Sequence, residues 1–374
     1  MFKIVSRHEV ESKNLPTCYI PPIMSDPTTL GPETESLADY TTEVRKGVSI
    51  NWYRSPLPPG AMKMLHTRSD LKGGFQTLGF LGLWTCTAAL ALYSFGHWPW
   101  WATVIALFLH GTVGSFFINA VHELGHGTVF QTKSLNVFFC HLFGFLGWIN
   151  HEMFQTSHTR HHRYTLHPPD DLEVVLPLRI MVKTFFQTGF VAIGGIWWNL
   201  KEHFRIARGK FRGEWETTLY PEGYPELRVK QIRWARCILI GHAIIFTVSM
   251  IMGWWLVPVV ISFSNFYGGW LLFLCNNTQH IGLQDKVGDF RLCCRTFTLN
   301  RFAQFLYWDM NFHIEHHMFA AVPCYNLKKL HEIIKDDLPP SPHGLYAVWK
   351  EIAAIQSKQD EDPTYQYHAP IPYR

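Results

Sequence analysis

Two long apolar segments without lysine or arginine constrain the fold more than any other feature of this 374-residue sequence. One lies between Lys72 and Lys133, the other between Arg236 and Lys286, and short tryptophan-containing stretches at 96–100 and 253–255 interrupt them. Each half has close to the roughly 20 residues that a helix needs to cross a bilayer. The pattern predicts an all-α membrane protein with four transmembrane helices in two hairpins, at about 75–95, 99–119, 237–252 and 256–274.

The distribution of basic residues predicts the orientation of these hairpins. Tryptophan favours the headgroup level and basic loops stay on the cytoplasmic side. Both termini, residues 121–236 and the chain after Lys286 are therefore expected in the cytosol. The membrane would be the endoplasmic reticulum in a eukaryote and the inner membrane in a bacterium. A net charge of only +4 (33 basic against 29 acidic residues) does not favour a nucleic-acid partner.

The remaining segments complete the predicted organisation. The apolar stretches 137–149 and 185–198 are too short to span comfortably, so interfacial or re-entrant helices are expected there. We predict a cytosolic N-terminal segment at 1–70 without a secretory signal peptide, a membrane domain at 71–335 and a cytosolic C-terminal tail at 336–374. Together with the histidine motifs described next, the interfacial helices would form a histidine-rich cytosolic cap.

Histidines recur at helical spacing beside the predicted spans. The sequence HELGH at 122–126 places two imidazoles one turn apart, and HTRHH at 158–162 and HIEHH at 313–317 each place three on one helix side. A ninth histidine ends NNTQH at 276–280. The set is His122, His126, His158, His161, His162, His280, His313, His316 and His317.

These nine histidines predict a metal centre rather than a packed core. Imidazole is the commonest metal ligand at neutral pH, and nine ligands exceed the four of a tetrahedral zinc site. They suit two transition-metal ions that keep open positions. Isolated histidines such as His97 and His141 are more simply packing residues.

The motifs at 122–126, 158–162 and 313–317 are here called histidine boxes one to three, and NNTQH at 276–280 lies between boxes two and three. These motifs and their order resemble the integral-membrane fatty acid desaturase and hydroxylase superfamily, over about residues 74–335. The resemblance implies two iron ions held by the nine histidines, with Asn276 contacting one iron through water. No further catalytic residue and no organic-cofactor site are implied. It also implies that O₂ and two electrons are used to remove hydrogen from an unactivated C–H bond of a fatty acyl chain or related lipid. Hydroxylation of a lipid or smaller metabolite at the same centre is the alternative.

The resemblance also bears on partners. The chain has no HPGG haem motif, no GxGxxG after a strand and no Cys₄ spacing, so an external electron donor is expected, either cytochrome b5 or ferredoxin with its reductase. The basic run from Arg205 to Arg212 is either a solvated or headgroup-facing surface or a docking patch for that donor. Candidate carboxylates for orienting ligand histidines are Glu123, Glu152, Asp170, Asp171, Asp309 and Glu315. Helical spacing predicts Asp309, four residues before His313, on the same helix face as that histidine.

Two other functional classes remain for comparison. An intramembrane zinc protease would use His122, Glu123 and His126, but it leaves seven box histidines without a role. A metal transporter predicts ionisable residues at mid-membrane depth, whereas the histidines here lie at one end of the spans.

Overall fold

The computed structural model of the protein describes residues 49–372, which are mostly helical and form no β-strand. Residues 1–48, the larger part of the predicted N-terminal segment, lie outside the described residues. The α-helices are α1 Ala61–Leu65, α2 Asp70–Ser94, α3 Trp100–Gly114, α4 Phe117–Gly125, α5 Lys133–Leu146, α6 His151–Tyr164, α7 Val182–Gly189, α8 Ile193–Ala207, α9 Gly213–Leu219, α10 Glu226–Ile251, α11 Val257–Ser262, α12 Trp270–Asn276, α13 Phe290–Cys293, α14 Arg301–Leu306, α15 His313–Met318, α16 Cys324–Ile334 and α17 Gly344–Glu361.

Three helical runs within 49–372 are long and apolar enough to cross a membrane: α2, the combined run of α3 and α4 over Trp100–Gly125, and α10. They overlap the first three predicted spans. α2 begins where the Ser69 side chain accepts a hydrogen bond from the Lys72 amide at 3.4 Å, which satisfies one of the free amides of the first turn. It ends before Gly96, whose φ of 84° is left-handed. The predicted mostly helical fold with candidate membrane-spanning helices is thus confirmed, while the four-span topology stays a prediction.

The segment predicted as a fourth span, 256–274, is not one continuous helix. α11 ends at Ser262, a 3₁₀ turn covers Ser264–Phe266, and α12 begins only at Trp270. Gly268 has a φ of +66°, and a Cβ there would lie 2.5 Å from the carbonyl oxygen of Phe108 on α3. The left-handed backbone interrupts the helical hydrogen bonds, and only glycine fits so close to α3. The segment therefore packs on α3 as two short helices.

A cluster of buried aromatic side chains joins α2, α4 and α5 to the loop before α15. The Phe80 ring on α2 lies 5.6 Å from Phe117 on α4, 5.7 Å from Phe143 on α5 and 5.7 Å from Trp308. All four side chains are buried. Edge-to-face contacts of this kind fix ring orientation beyond simple burial. The cluster joins α4, which carries the HELGH histidines, to the loop that leads into α15, the helix of the HIEHH histidines.

Helices occupy the stretch 185–198, where the sequence predicts interfacial or re-entrant helices, and also part of the predicted C-terminal tail. The stretch 185–198 divides between α7 and α8, which expose apolar side chains such as Phe186 and Trp197. The predicted tail 336–374 contains α17, whose Val348, Ile352 and Ile355 are buried at helical spacing. The indole of Trp349 donates a hydrogen bond to the carbonyl of Leu274 at 2.9 Å, so α17 packs against α12.

Candidate metal centre

The helices bring all nine box histidines together in one buried region. Box one lies at the end of α4, box two on α6, box three on α15, and His280 in the loop after α12. Seven of the nine rings are buried, and those of His126 and His162 are half-buried. The three boxes come from helices far apart in sequence, so their convergence is a property of the packing.

The nitrogens divide into two groups. The first group consists of His122, His126, His158, His162 and His316. Its Nε2 atoms face one another, with distances of 2.8 Å between His122 and His316, 3.1 Å between His316 and His162, and 3.0 Å between His162 and His158. The first group therefore takes members from all three boxes.

The second group is built around His280, His313 and His317. The Nε2 of His313 lies 3.0 Å from that of His280 and 3.1 Å from that of His317. The ring of His161 completes the group, with its centroid 5.1 Å from His280 and 4.9 Å from His317. The buried Cys294 thiol is also close, but burial raises its pKa well above the ordinary value, which makes it a poor ligand.

The donor set fits transition-metal ions. Imidazole nitrogens bind such ions at about 2.1 Å, so two of them at right angles around one ion lie about 3 Å apart. The Nε2 distances of 2.8–3.1 Å match that spacing in both groups. Facing nitrogen lone pairs repel one another unless a cation or a proton lies between them. Two ions held by imidazoles account for both the distances and the number of rings.

Hydrogen bonds at Nδ1 orient four of the rings. His158 donates to Glu173 at 2.6 Å, His161 to Asp171 at 2.8 Å and His280 to the Cys293 carbonyl at 2.7 Å. His317 Nδ1 lies 3.1 Å from Thr165 Oγ1, whose own proton is donated to the His161 carbonyl. Each bond places the proton on Nδ1 and leaves the Nε2 lone pair directed into the centre, as metal-ligating histidines require.

The electrostatics of the site favour neutral imidazoles. Burial lowers the pKa of His126 to about 4 and that of His280 to about 3. Burial, with the neighbouring histidines, also holds the pKa values of His158, His162, His313, His316 and His317 well below the ordinary value. His161 differs: burial opposes its charge, but the carboxylates of Asp171 and Glu173 raise its pKa. Neutral rings keep their lone pairs available for a metal.

Of the six carboxylates suggested by the sequence, Asp171 contacts a ligand histidine directly. Glu123 lies near two, with Oε1 3.4 Å from His316 Nδ1 and 3.9 Å from His122 Nε2. Asp170 instead pairs with Arg160 at 2.8 Å, and Glu152 lies 3.8 Å from His151, outside the boxes.

Two further suggestions are corrected by the structure. Asp309 was expected on the helical face of His313, but α15 begins only at His313 and Asp309 precedes it in a left-handed conformation, bonded to Gln304. Glu315 binds outside the nine-histidine set, accepting hydrogen bonds at 2.5 Å from His331 and from Thr296. Helix spacing did not apply to Asp309 because the preceding turn is not helical.

Asn276 contacts another asparagine near the centre. Its side-chain oxygen accepts a hydrogen bond from Asn119 at 3.3 Å, and Asn119 lies one turn before His122 on α4. A water-mediated contact between Asn276 and an ion stays a prediction.

The sequence interpretation missed Glu173, which orients His158 and accepts a second hydrogen bond from Ser157. The acidic run at 170–173 after box two was the available signal. A cavity of about 280 Å³ borders His162, and it is lined by Ser49, Ile50, Trp52, Arg54, His162, Arg163, Tyr164 and Phe290.

Comparison with known proteins identifies the relationship of the chain. Residues 98–349 match the model of the fatty acid desaturase family. The chain is also 25% identical over 297 residues to an sn-1 oleoyl-lipid 12-desaturase from Picosynechococcus sp., an alignment that covers 72% of this chain and 78% of that protein.

Proposed function

Because the chain belongs to the fatty acid desaturase family and is an enzyme of the oxidoreductase class, we propose that it is a membrane-bound di-iron desaturase of a fatty acyl chain or related lipid. The observation that carries the proposal is the pair of imidazole groups with Nε2 atoms 2.8–3.1 Å apart. Iron, unlike a d¹⁰ zinc ion, suits a ligand set of many imidazoles combined with O₂ chemistry. The sn-1 oleoyl-lipid specificity is that of the Picosynechococcus protein, and here the proposal extends only to a lipid.

The protein's own residues have three tasks in this proposal. His122, His126, His158, His162 and His316 would hold one iron, and His161, His280, His313 and His317 the other, with Asn276 linked through water. Bound iron together with O₂ supplies the oxidant that C–H cleavage needs. Asp171 orients His161, and Glu173 orients His158. The buried aromatic cluster around Phe80 would keep water away from the site.

Hydroxylation at the same centre is the second candidate, because the donor set alone does not decide between loss of a second hydrogen and gain of oxygen. The zinc-protease interpretation is less well supported. Glu123, its required base, lies against His316 and His122, and His126 shares its surroundings with three histidines from other boxes.

Product analysis tests the proposal directly. The purified, iron-loaded protein should contain about two irons per chain, and lipid substrates incubated under ¹⁸O₂ should yield a double bond without retained label. His161→Ala or His316→Ala should abolish turnover, whereas His97→Ala, in the exposed turn after α2, should retain it. One zinc and no iron, or full activity in His316→Ala, would defeat the assignment.

The electron donor is proposed to be a separate protein. Turnover should require an added one-electron carrier, cytochrome b5 or ferredoxin, with its reductase. The basic run near α8 is a weak candidate for the docking surface, because Arg205 bonds Glu202 and Glu216 at 2.5 Å and Arg212 bonds Glu202 at 2.5 Å. Turnover by the pure protein with NAD(P)H and O₂ would contradict an external donor.

The chain is proposed to be an integral membrane protein whose metal centre lies on the cytosolic side of the membrane. A cysteine-labelling probe confined to the far side of the membrane should reach a cysteine placed at Gly96 and none placed at Lys210 or Lys328. Far-side labelling at Lys328 would place box three opposite the other boxes and remove the shared metal centre.

A further inference from the structure

A second histidine cluster lies outside the nine-histidine centre, where α5 meets the start of α6. The rings of His141 on α5 and His151 on α6 have centroids 4.2 Å apart. Both pack edge-on against Trp234 of α10, at 5.0 and 4.5 Å. Donor atoms of His141, His151 and Glu152 all lie within 4.8 Å of one another. The cluster thus brings two imidazoles and one carboxylate from α5 and α6 together beside Trp234 of α10.

His151 carries the argument because it is buried without polar partners. Its side chain is 2% exposed, and neither ring nitrogen has a hydrogen-bond partner among residues 49–372. Buried polar groups normally have a partner, so an unpaired ring nitrogen of His151 is available to bind a ligand. Burial, with smaller effects from His141 and Lys230, lowers the pKa of His151 to about 3, so the ring is neutral and has a free lone pair.

The other two side chains supply complementary donors. His141 donates its Nδ1 proton to the Val137 carbonyl at 2.7 Å, which leaves the Nε2 lone pair free for a ligand. The carboxylate of Glu152 lies 3.8 Å from His151 Nε2 and is 24% exposed, so water reaches the cluster from its side. Lys230 on α10 opposes a cation, and the negative charge of Glu152 offsets it.

We propose that His141, His151 and Glu152 bind a third metal ion, a divalent cation of the zinc type, with a water molecule in the fourth position. Two imidazoles and one carboxylate with an open position are a well-known ligand set for Zn²⁺. The donors lie within 4.8 Å of one another, somewhat farther apart than in a filled site, so metal binding requires the partly exposed His141 and Glu152 side chains to move closer to His151.

The ion would join α5 to the helix that carries box two. His151 precedes His158 by seven residues, which is two helical turns or about 10.5 Å along α6. Loop 147–150 between the two helices is already held to α10, since Trp234 donates to the Ile149 carbonyl and Asn150 to the Gln231 carbonyl. The proposed ion therefore lies outside the iron centre and links α5 to α6.

Zinc binding to the full-length, iron-loaded protein in detergent tests this proposal. Wild type should bind one equivalent of Zn²⁺ beyond its iron, and its unfolding temperature should rise by at least about 2 °C on adding Zn²⁺. The His141→Gln variant changes a half-exposed side chain and should lose both the equivalent and the shift, while its iron content and turnover stay unchanged.

A second variant and a control make the result independent of folding defects. His151→Phe keeps an aromatic ring against Trp234 and should also lose the Zn²⁺ equivalent, whereas His97→Gln should keep it. Equal Zn²⁺ binding in wild type and His141→Gln, or no extra equivalent in wild type, would overturn the site. Zinc bound by the nine box histidines would be the same in wild type and His141→Gln, so a difference in bound Zn²⁺ between them reports only the proposed site. A negative result here therefore leaves the iron assay of the proposed function unaffected.

Discussion

Replacement of Asp171 by asparagine should lower the stability of the protein and weaken the proposed second iron position, the one formed by His161, His280, His313 and His317. The carboxylate is fully buried, and it accepts hydrogen bonds from His161 Nδ1 at 2.8 Å, the Leu166 amide at 2.8 Å and the Glu173 amide at 2.9 Å. Asparagine has the same shape but only one acceptor oxygen. Its amide group must therefore face at least one of these three donors.

The magnitude follows from those contacts. One buried donor loses its partner, which costs about 1–3 kcal/mol, and the two remaining bonds change from charge-assisted to neutral, at about 1 kcal/mol each. We therefore expect Asp171→Asn to lower the free energy of unfolding by about 3–5 kcal/mol. Loss of a carboxylate that orients a ligand histidine typically weakens metal binding by about 10- to 100-fold, so one iron per chain should be lost on dialysis.

Asp170→Asn is the matched control, because the neighbouring carboxylate pairs with Arg160 and touches no box histidine. Iron per chain would be measured by elemental analysis, and stability by thermal unfolding of the same samples. The reasoning fails if Asp171→Asn and Asp170→Asn hold the same iron and unfold at the same temperature. Glu173→Gln, which affects His158 instead, should weaken iron binding in the first group.

Three further predictions concern other parts of the molecule. Burial raises the pKa of Asp309 from 3.8 to about 7, so its contribution to stability is complete below about pH 4 and is lost as the pH rises through 7. Asp309→Asn, which tolerates the left-handed backbone there, should unfold at a higher temperature than wild type at about pH 8 and at the same temperature at about pH 4; an equal gap at both would contradict this. Gly111→Ala should destabilise the protein by about 1–3 kcal/mol or more, because the new Cβ would lie 2.2 Å from Tyr267 atoms, whereas Gly82→Ala, with open space around it, should be neutral or stabilising in denaturant unfolding. Removal of iron by a chelator should lower the unfolding temperature measured by calorimetry, since neutral buried imidazoles would then face one another unpaired, and an unchanged temperature would argue against a shared centre.

Local patterns in the sequence were sufficient for the mostly helical fold with candidate membrane-spanning helices and for the clustered histidines. Apolar length and the absence of basic residues are properties of each segment, so they predicted the three candidate spanning helices. Spacing of three and four residues is equally local, because it follows from the helix repeat, and it placed the imidazoles of each box on one side. Family resemblance extended this to the iron centre, which remains a proposal.

Contacts between distant segments were decided only by the tertiary structure. The division of nine histidines into two groups depends on how α4, α6 and α15 cross, and box three contributes to both groups. The orienting role of Glu173 arises because the chain after α6 turns back onto His158. Likewise, the break at Gly268 requires the backbone of α3 beside it, and the pairing of His141 with His151 requires α5 to pack on α6. Such contacts join residues whose distance in the chain carries no periodic signal, so packing alone determines them.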